Sequence, residues 1–384
     1  MNLSITGTRG IPNNYGGFEQ FAEQLAVRLA EKGHMVTVYN PRFHPYKEFT
    51  FNKVNIIHKS SPEYIAGGAA NYLYDYRCIR DAIKRKSDII LQCGYASAAP
   101  AYRLLNFRDS KVVTHVDGME WKRLKWGKMI HHMIKNSEKI AIKNSNHLVC
   151  DHPIIQSYYE QHYNIRPACI PYGADLFDNS EEQVINEFNL EPFKYYLIIA
   201  RLEPENHIHT IIKGFIISGK EEKLIIVGNT NTGYGKRLIK IYSSNDKILF
   251  CNDIFDKKIL NNLRYFSKTY FHGHSVGGTN PSLLEAMAAN ALVIAHDNVY
   301  NKHILNENAL FFQNEQDLKV VLSAENEWIG KRKEMVERNR KRILEEYQWD
   351  SVVERYERLF EKIKFHKEPQ SRHKGSQSED FNSL

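Results

Sequence analysis

Short apolar runs recur along the chain, separated by stretches in which apolar residues return at helical spacing. That alternation predicts a parallel sheet wrapped by helices. In the first unit Leu3–Thr6 reads as a buried strand and Thr8–Tyr15 as a loop punctuated by Gly, Pro and Asn. Phe18, Phe21, Ala22, Leu25, Ala26, Leu29 and Ala30 then follow a helical period. Gly33 sits where a helix C-terminal glycine belongs, and Met35–Tyr39 resumes as a strand. Further strands are predicted at Val54–His58, Asp88–Cys93, Val112–Val116, His147–Cys150 and Ala168–Ile170. The second half repeats the pattern at Tyr195–Ala200, Lys223–Val227, Ile248–Cys251, Thr269–Phe271, Ala291–Ala295 and Leu310–Phe312. Pro171–Phe193 is turn-rich, then acidic, and reads as a linker. Residues 325–364 read as two helices broken near Gln348, and the polar stretch beyond His366 is expected to be disordered. The expected class is α/β, two doubly wound Rossmann-like domains facing a central cleft. The domains span 1–175 and 190–345, followed by a closing helix over 346–365 and a tail over 366–384.

Composition narrows the class. Among 384 residues, 42% are hydrophobic and 25% charged, enough to bury a sizeable core and to exclude wholesale disorder. Lys and Arg number 52 against 45 Asp and Glu, a formal charge of +7. That excess is too mild and too dispersed for a nucleic-acid module. Cys78, Cys93, Cys150, Cys169 and Cys251 are scattered and form no CxxC, which argues against a disulfide scaffold or a structural zinc site. The first residues lack the features of a signal peptide, and no apolar run approaches the ~18 residues of a membrane span. A cytoplasmic location is the expectation.

Ligands of doubly wound domains bind at the carboxyl ends of the strands, and the unusual segments fall there. After the first strand come Gly7-Thr8-Arg9-Gly10 and then Asn13-Asn14-Tyr15-Gly16-Gly17-Phe18-Glu19 at a helix start. Paired glycines admit close backbone approach, and helix N-terminal amides favour an anion; a plain Gly-rich connection is the alternative. The glycines do not form GxGxxG, and the second strand ends Tyr39-Asn40-Pro41 without a ribose-binding acid, so a dinucleotide site fits poorly. The segment His272–Ala288 again reads strand, Gly-rich loop, helix. Ser282 and Glu285 fit a capping box, while Gly277, Gly278, Thr279 and Asn280 offer amides to phosphate oxygens. Arg201 follows the strand Tyr195–Ala200, either as a bidentate phosphate ligand or as a turn residue. Three anion-friendly strand ends fit a diphosphate.

Asp117 follows the strand Val112–Val116, where a carboxylate takes or orients an acceptor hydroxyl's proton; an Asp-Gly turn is the other reading. His115 and Glu120 are weaker candidates for that role, His115 also fitting a satisfied strand histidine. Residues 121–130 interleave Trp121 and Trp126 with Lys122, Arg123, Lys125 and Lys128. This fits contact with an anionic membrane surface, or a solvated helix face with the tryptophans turned inward. No D-x-D pair occurs, so no metal-held diphosphate is expected.

Thr8–Pro12, Tyr15–Glu19, Asp117–Arg123, Ala200–Asn206 and Gly273–Ala288 resemble a bacterial branch of glycosyltransferase family 4. That branch includes rhamnosyltransferases of capsule and cell-wall polysaccharide synthesis. The resemblance runs from about residue 3 to about 360. It implies the GT-B fold, a retaining reaction, a nucleotide-sugar donor held mainly by the second domain and an acceptor held mainly by the first. By position, Gly16 and Gly17 correspond to the glycine pair near the diphosphate, Arg201 to the diphosphate-binding arginine and Glu285 to the ribose-binding glutamate. Two positions depart. Asn206 stands where the wider family commonly has a lysine, with Arg9 or His274 as the compensating cation. Gly277 stands where it commonly has a first glutamate. Both departures read as changed donor chemistry, and dTDP-L-rhamnose is the branch-level expectation, with a polyprenyl-diphosphate-linked glycan as acceptor. The expected donor site is thus Arg9, Gly16, Gly17, Arg201, Asn206, His274, Gly277, Gly278, Thr279, Asn280 and Glu285. The expected reaction centre is Asp117, Arg201, Glu120 and His115, with no metal. A retaining front-face reaction lets the leaving phosphate act as base, leaving Asp117 to position the acceptor. The rival readings are a GT-B epimerase or phosphorylase, and a non-catalytic sugar-nucleotide-binding subunit of an assembly complex.

Overall fold

The computed structural model describes residues 1–62, 70–122 and 127–365. The first domain carries strands β1 (Asn2–Thr6), β2 (Met35–Pro41), β3 (Thr50–Phe51), β4 (Val54–Lys59), β5 (Ile89–Cys93), β6 (Lys111–His115), β7 (His147–Cys150) and β8 (Ala168–Cys169). Its longer helices are α1 (Gly17–Glu31), α2 (Ala70–Lys84), α3 (Lys128–Asn144) and α4 (Pro153–Tyr163). The sheet order is β3-β4-β2-β1-β5-β6-β7-β8, parallel throughout except for β3 against β4. The two-residue β3 carries too short a pattern to be read from sequence.

The second domain carries β9 (Tyr195–Ile199), β10 (Lys223–Val227), β11 (Ile248–Cys251), β12 (Thr269–His272), β13 (Val293–His296) and β14 (Leu310–Phe312). Between and after them run α5 (Ile208–Ile217), α6 (Gly233–Tyr242), α7 (Lys257–Tyr265), α8 (Pro281–Ala288), α9 (Val299–Leu305), α10 (Glu315–Ser323), α11 (Arg332–Arg342) and α12 (Trp349–Phe365). Its order, β11-β10-β9-β12-β13-β14, is wholly parallel. In both sheets the order reverses beside the first strand, at β1/β5 and at β9/β12. Ligand crevices open at such reversals.

Apolar periodicity places the helices as expected. On α1 the residues Phe21, Ala22, Leu25, Ala26, Leu29 and Ala30 are buried. Gly33 closes that helix at φ +89°, its N–H donating to Ala30 O while that of His34 donates to Leu29 O. The linker is more ordered than predicted: a short helix forms over Glu182–Asn186, and the Ala174 N–H donates to Tyr347 O. The first closing helix is divided, with a turn of helix at Glu325–Ile329, then α11, then a wide turn over Ile343–Tyr347. The break falls at Gln348, as expected. Beyond it α12 returns to the first domain, where Phe21 meets Trp349 and Tyr356 at ring-centroid distances of 6.4 and 5.4 Å. Val352, Val353 and Phe360 are buried on the same helix. Each such side chain contributes about 1.5–3 kcal/mol, so α12 couples the two domains. The tail expected to be disordered lies outside the described residues, as do 123–126 of the Trp/Lys segment.

Candidate active site

The two sheet reversals face each other across one cavity of about 930 Å³ lined by both domains. The loop after β1 is held from behind. Asn40, at the end of β2, accepts the Ile11 N–H at Oδ1 and donates Nδ2–H to Ile11 O. That explains the missing ribose-binding acid: the position shapes the loop. Arg9 donates its N–H to Glu19 Oε1 at 2.8 Å, and its guanidinium lies 4.2 Å from the Tyr15 ring centroid. Glu19 is buried at the start of α1; burial pushes its carboxyl up, opposed by the charges of Arg9 and Arg201. The Gly16 N–H donates to Asn13 Oδ1 at 3.2 Å, so that amide, expected to face a phosphate, is turned to its own loop. Gly17 faces Pro281 across the cleft, where an added Cβ would meet Pro281 Cγ at 3.5 Å.

Opposite, Arg201 follows β9 and stands exposed in the cavity. Asn206 ties two loops together, donating Nδ2–H to Arg201 O at 2.7 Å and accepting from His274 Nδ1 at 2.8 Å. His274 is thereby oriented by the residue that stands in the lysine's place. His272, two residues earlier at the end of β12, is buried, and burial pushes its imidazole down to about 3.

The helix after the second Gly-rich loop is capped differently from the sequence expectation. Asn280, not Ser282, is the N-cap of α8, accepting the Ser282 N–H at 2.9 Å, with Pro281 in the first turn. Proline suits the first helical position, where its missing N–H costs nothing, and with Pro281 there the cap falls at Asn280, two residues before Ser282. Glu285 is therefore not part of a capping box. Its carboxylate takes hydrogen bonds from Gln20 Nε2 of α1 and from an Arg264 guanidinium nitrogen of α7. Arg264 is buried and also reaches Asn261 and Ser282, so it fixes the glutamate expected at the ribose.

Glycine backbones make the interdomain contact. A Cβ on Gly118 would lie 2.4 Å from Gly277 Cα, and Gly277 has φ +121°. A side chain on Gly118 has no room; at Gly277 the positive φ is what favours glycine, an added Cβ meeting only His274 Nε2 at 3.2 Å. The Thr279 N–H donates to Asp151 Oδ2 at 3.0 Å, and Thr279 Oγ1 donates to Asp151 O at 2.6 Å. This corrects the expectation for Thr279: its amide serves the first domain rather than the cavity. Asp151 is buried, its Oδ1 has no hydrogen-bond partner among the described residues, and burial pushes its carboxyl well up. Neither Asp151 nor Arg264 was singled out from the sequence, because each sits in an ordinary local pattern.

On the first-domain side, Asp117 follows β6 at φ +56° and lines the cavity together with Glu120. The Asp117 N–H donates to His115 Nδ1 at 3.2 Å. His115 itself is wholly buried, stacked on Tyr172 at 5.6 Å and edge-on to Phe18 at 5.4 Å. Burial pushes its imidazole down to about 4, so it is a neutral core group that shapes the Asp117 turn and does not reach the cavity. Trp121 is turned inward, its Nε1–H donating to the buried Glu138, which also accepts from Tyr95, Lys135 and Tyr158. The inward reading thus holds for Trp121. Among the described residues no three His, Cys, Asp or Glu side chains come together as metal ligands. No described helix is long and apolar enough to cross a membrane.

Two family matches divide the chain. Residues 1–175 match a domain of unknown function (DUF1972). Residues 179–342 match the glycosyl transferases group 1. An uncharacterized glycosyltransferase of Methanocaldococcus jannaschii is 22% identical over 385 residues, covering 91% of this chain and 95% of that protein. Among solved structures, a sucrose-phosphate synthase from Thermosynechococcus elongatus superposes with a TM-score of 0.78 at 14% identity, covering 94% and 98% of the two chains. HepE of Anabaena, in complex with UDP and glucose, superposes at 0.72 with 12% identity and coverage of 94% and 98%. The fold is GT-B. The group 1 domain and the glycosyltransferase relatives support glycosyltransferase activity.

Proposed function

We propose that the chain is a retaining glycosyltransferase that moves L-rhamnose from dTDP-L-rhamnose to a polyprenyl-diphosphate-linked glycan in the synthesis of capsule, O-antigen or cell-wall polysaccharide. The observation that carries the transferase reading is the shared interdomain cavity: Arg9, Arg201 and Arg264 line it with both glycine loops, and Asp117 and Glu120 of the first domain line it too. A donor diphosphate belongs with the cations. As the glycosidic bond breaks, charge grows on the leaving phosphate, and Arg201 stabilises it with His274 oriented nearby. Asp117 orients the attacking hydroxyl, whose proton passes to the leaving phosphate. Glu285, held by Gln20 and Arg264, takes the pentose hydroxyls. The positive φ of Gly277, which favours glycine over a glutamate, supports a donor that needs no carboxylate there, such as a 6-deoxy sugar.

A lipid-linked acceptor is supported by the first turns of α3. Met129 is 76% exposed beside Lys128, and the exposed Ile130 and Met133 line the cavity mouth. An apolar, cationic rim at the acceptor side suits a lipid diphosphate and work at the inner face of the plasma membrane. HepE's complex with UDP-glucose offers a neighbour with a bound nucleotide sugar, so the donor class is tested first. Thermal shift is measured with a panel of sugar nucleotides on the intact chain and on Arg201→Ala. At 100 times its dissociation constant a ligand stabilises by about 2.7 kcal/mol, and the expected shift is with dTDP-L-rhamnose and is lost in the variant. A preference for UDP- or GDP-sugars overturns the donor. Near-normal turnover by Arg201→Ala overturns the role of the arginine, and binding without any turnover favours the non-catalytic rival.

A further inference from the structure

The first domain contributes its own wall to the cavity. Tyr72 and Asp75 of α2, Ser97 after β5, Asp117, Glu120 and Met133 line it. Asp75 is only 3% exposed and, among the described residues, has a single hydrogen-bond donor, the Ser97 hydroxyl, at 2.6 Å from Oδ2. The ionisable groups that feel its charge are Tyr72, Tyr74 and Cys78 on α2, Cys93 on β5 and Tyr102 in the helix that follows. All five are neutral near pH 7, and among the described residues no cation offsets the carboxylate's burial. A carboxylate accepts at about four lone-pair sites, and Ser97 supplies a hydrogen to one. A buried carboxylate left so incompletely paired is costly unless a ligand completes its hydrogen bonds.

We propose that Asp75, braced by Ser97, is an acceptor-binding residue that takes hydroxyls of the acceptor sugar, and that its buried carboxylate selects an uncharged sugar over a uronic acid. The proposal rests on the transferase reading above. Ligand hydroxyls supply the missing hydrogens, and Tyr72 supplies an aromatic face beside them. A sugar carboxylate set against Asp75 would meet a like charge that burial leaves poorly screened. Burial pushes Asp75 up to about 7, so its ionised, accepting form gains population as pH rises through neutrality. Acceptor affinity should rise over the same interval.

The test uses two probes that differ only at C6, octyl β-D-glucoside and octyl β-D-glucuronide, with the intact chain and the donor that gives the largest thermal shift. The wild type should show a KM for the glucoside about ten-fold or more below that for the glucuronide. Asp75→Asn should raise the glucoside KM about ten-fold, more than it lowers kcat. It should also flatten the pH dependence of KM near 7 and narrow the preference between the probes. Ser97→Ala should move KM the same way by less, and a melt of each variant separates these effects from unfolding. Equal use of the two probes by the wild type overturns the proposal, as does an unchanged KM and pH profile in Asp75→Asn. Donor turnover without saturation-transfer NMR signals from either glycoside overturns it too and leaves the transferase reading intact. If no sugar nucleotide binds, the transferase reading fails, while loss of the glycoside signal in Asp75→Asn still supports Asp75 as a sugar ligand and its persistence overturns it.

Discussion

Gly118→Ala isolates the contact between the domains. Gly118 lies outside the left-handed region, so alanine is allowed there by its backbone, and the substitution adds one methyl group. That carbon would lie 2.4 Å from Gly277 Cα and 3.3 Å from Gly277 C and N. Carbon atoms rest at about 3.5–4.0 Å, so the two backbones must separate by about 1 Å. Neither side is a flexible side chain that can swing away. The loop after β6 carries Asp117 and the loop after β12 carries residues 277–280, so on the proposed reading the separation is transmitted to the distance between acceptor and donor. A displacement of about 1 Å between reacting groups can lower a rate about 10²-fold. The stability cost should be smaller, about 1 kcal/mol, because the cleft can open instead of compressing a closed core. The assay is initial-rate donor turnover beside a thermal melt, with Gly233→Ala as control, since a Cβ there meets nothing within 4 Å. A Gly118→Ala protein with the parent's turnover and melting temperature would refute the tight interdomain contact.

Two further outcomes follow from buried charges. Burial raises the Asp151 carboxyl in the folded chain above its unfolded value, so the folded state holds its proton longer and its stability contribution falls as pH rises above about 4. Asp151→Asn keeps an oxygen for the Thr279 N–H and removes the ionisation. Its melting temperature relative to the wild type should therefore rise from pH 4 to pH 8, and a difference independent of pH would contradict the assignment. Glu285→Ala strips the buried Arg264 of its carboxylate partner, and urea unfolding should show a loss of about 3 kcal/mol together with a weaker thermal shift by the donor. Unchanged stability would mean that Arg264 finds another partner.

The strands were legible because a strand buried on both faces must be apolar along its length, as at Lys223–Val227 and His147–Cys150, where prediction and structure coincide. The glycine loops were legible because positive φ and close backbone approach leave few other residues possible. Roles that depend on distant partners were not. Ser282 and Glu285 carry the spacing of a capping box, yet Glu285 is claimed by Gln20, 265 positions away, and by Arg264, 21 positions away. His115 reads equally well as a cleft or a core histidine until Tyr172 is found stacked on it.

By itself the sequence determined the alternating α/β architecture, the two doubly wound halves and the strand-end loops that line the cavity. These follow from short-range patterns: periodic burial, turn chemistry and the glycines at strand ends. Only the tertiary structure decided that Thr279 serves Asp151, 128 positions away, that Gly277 is a contact with Gly118, and that Asp75 is buried on the cavity wall with Ser97. Such pairings have no local signature, because desolvation and charge are set by whatever the fold packs around a group and not by its neighbours along the chain.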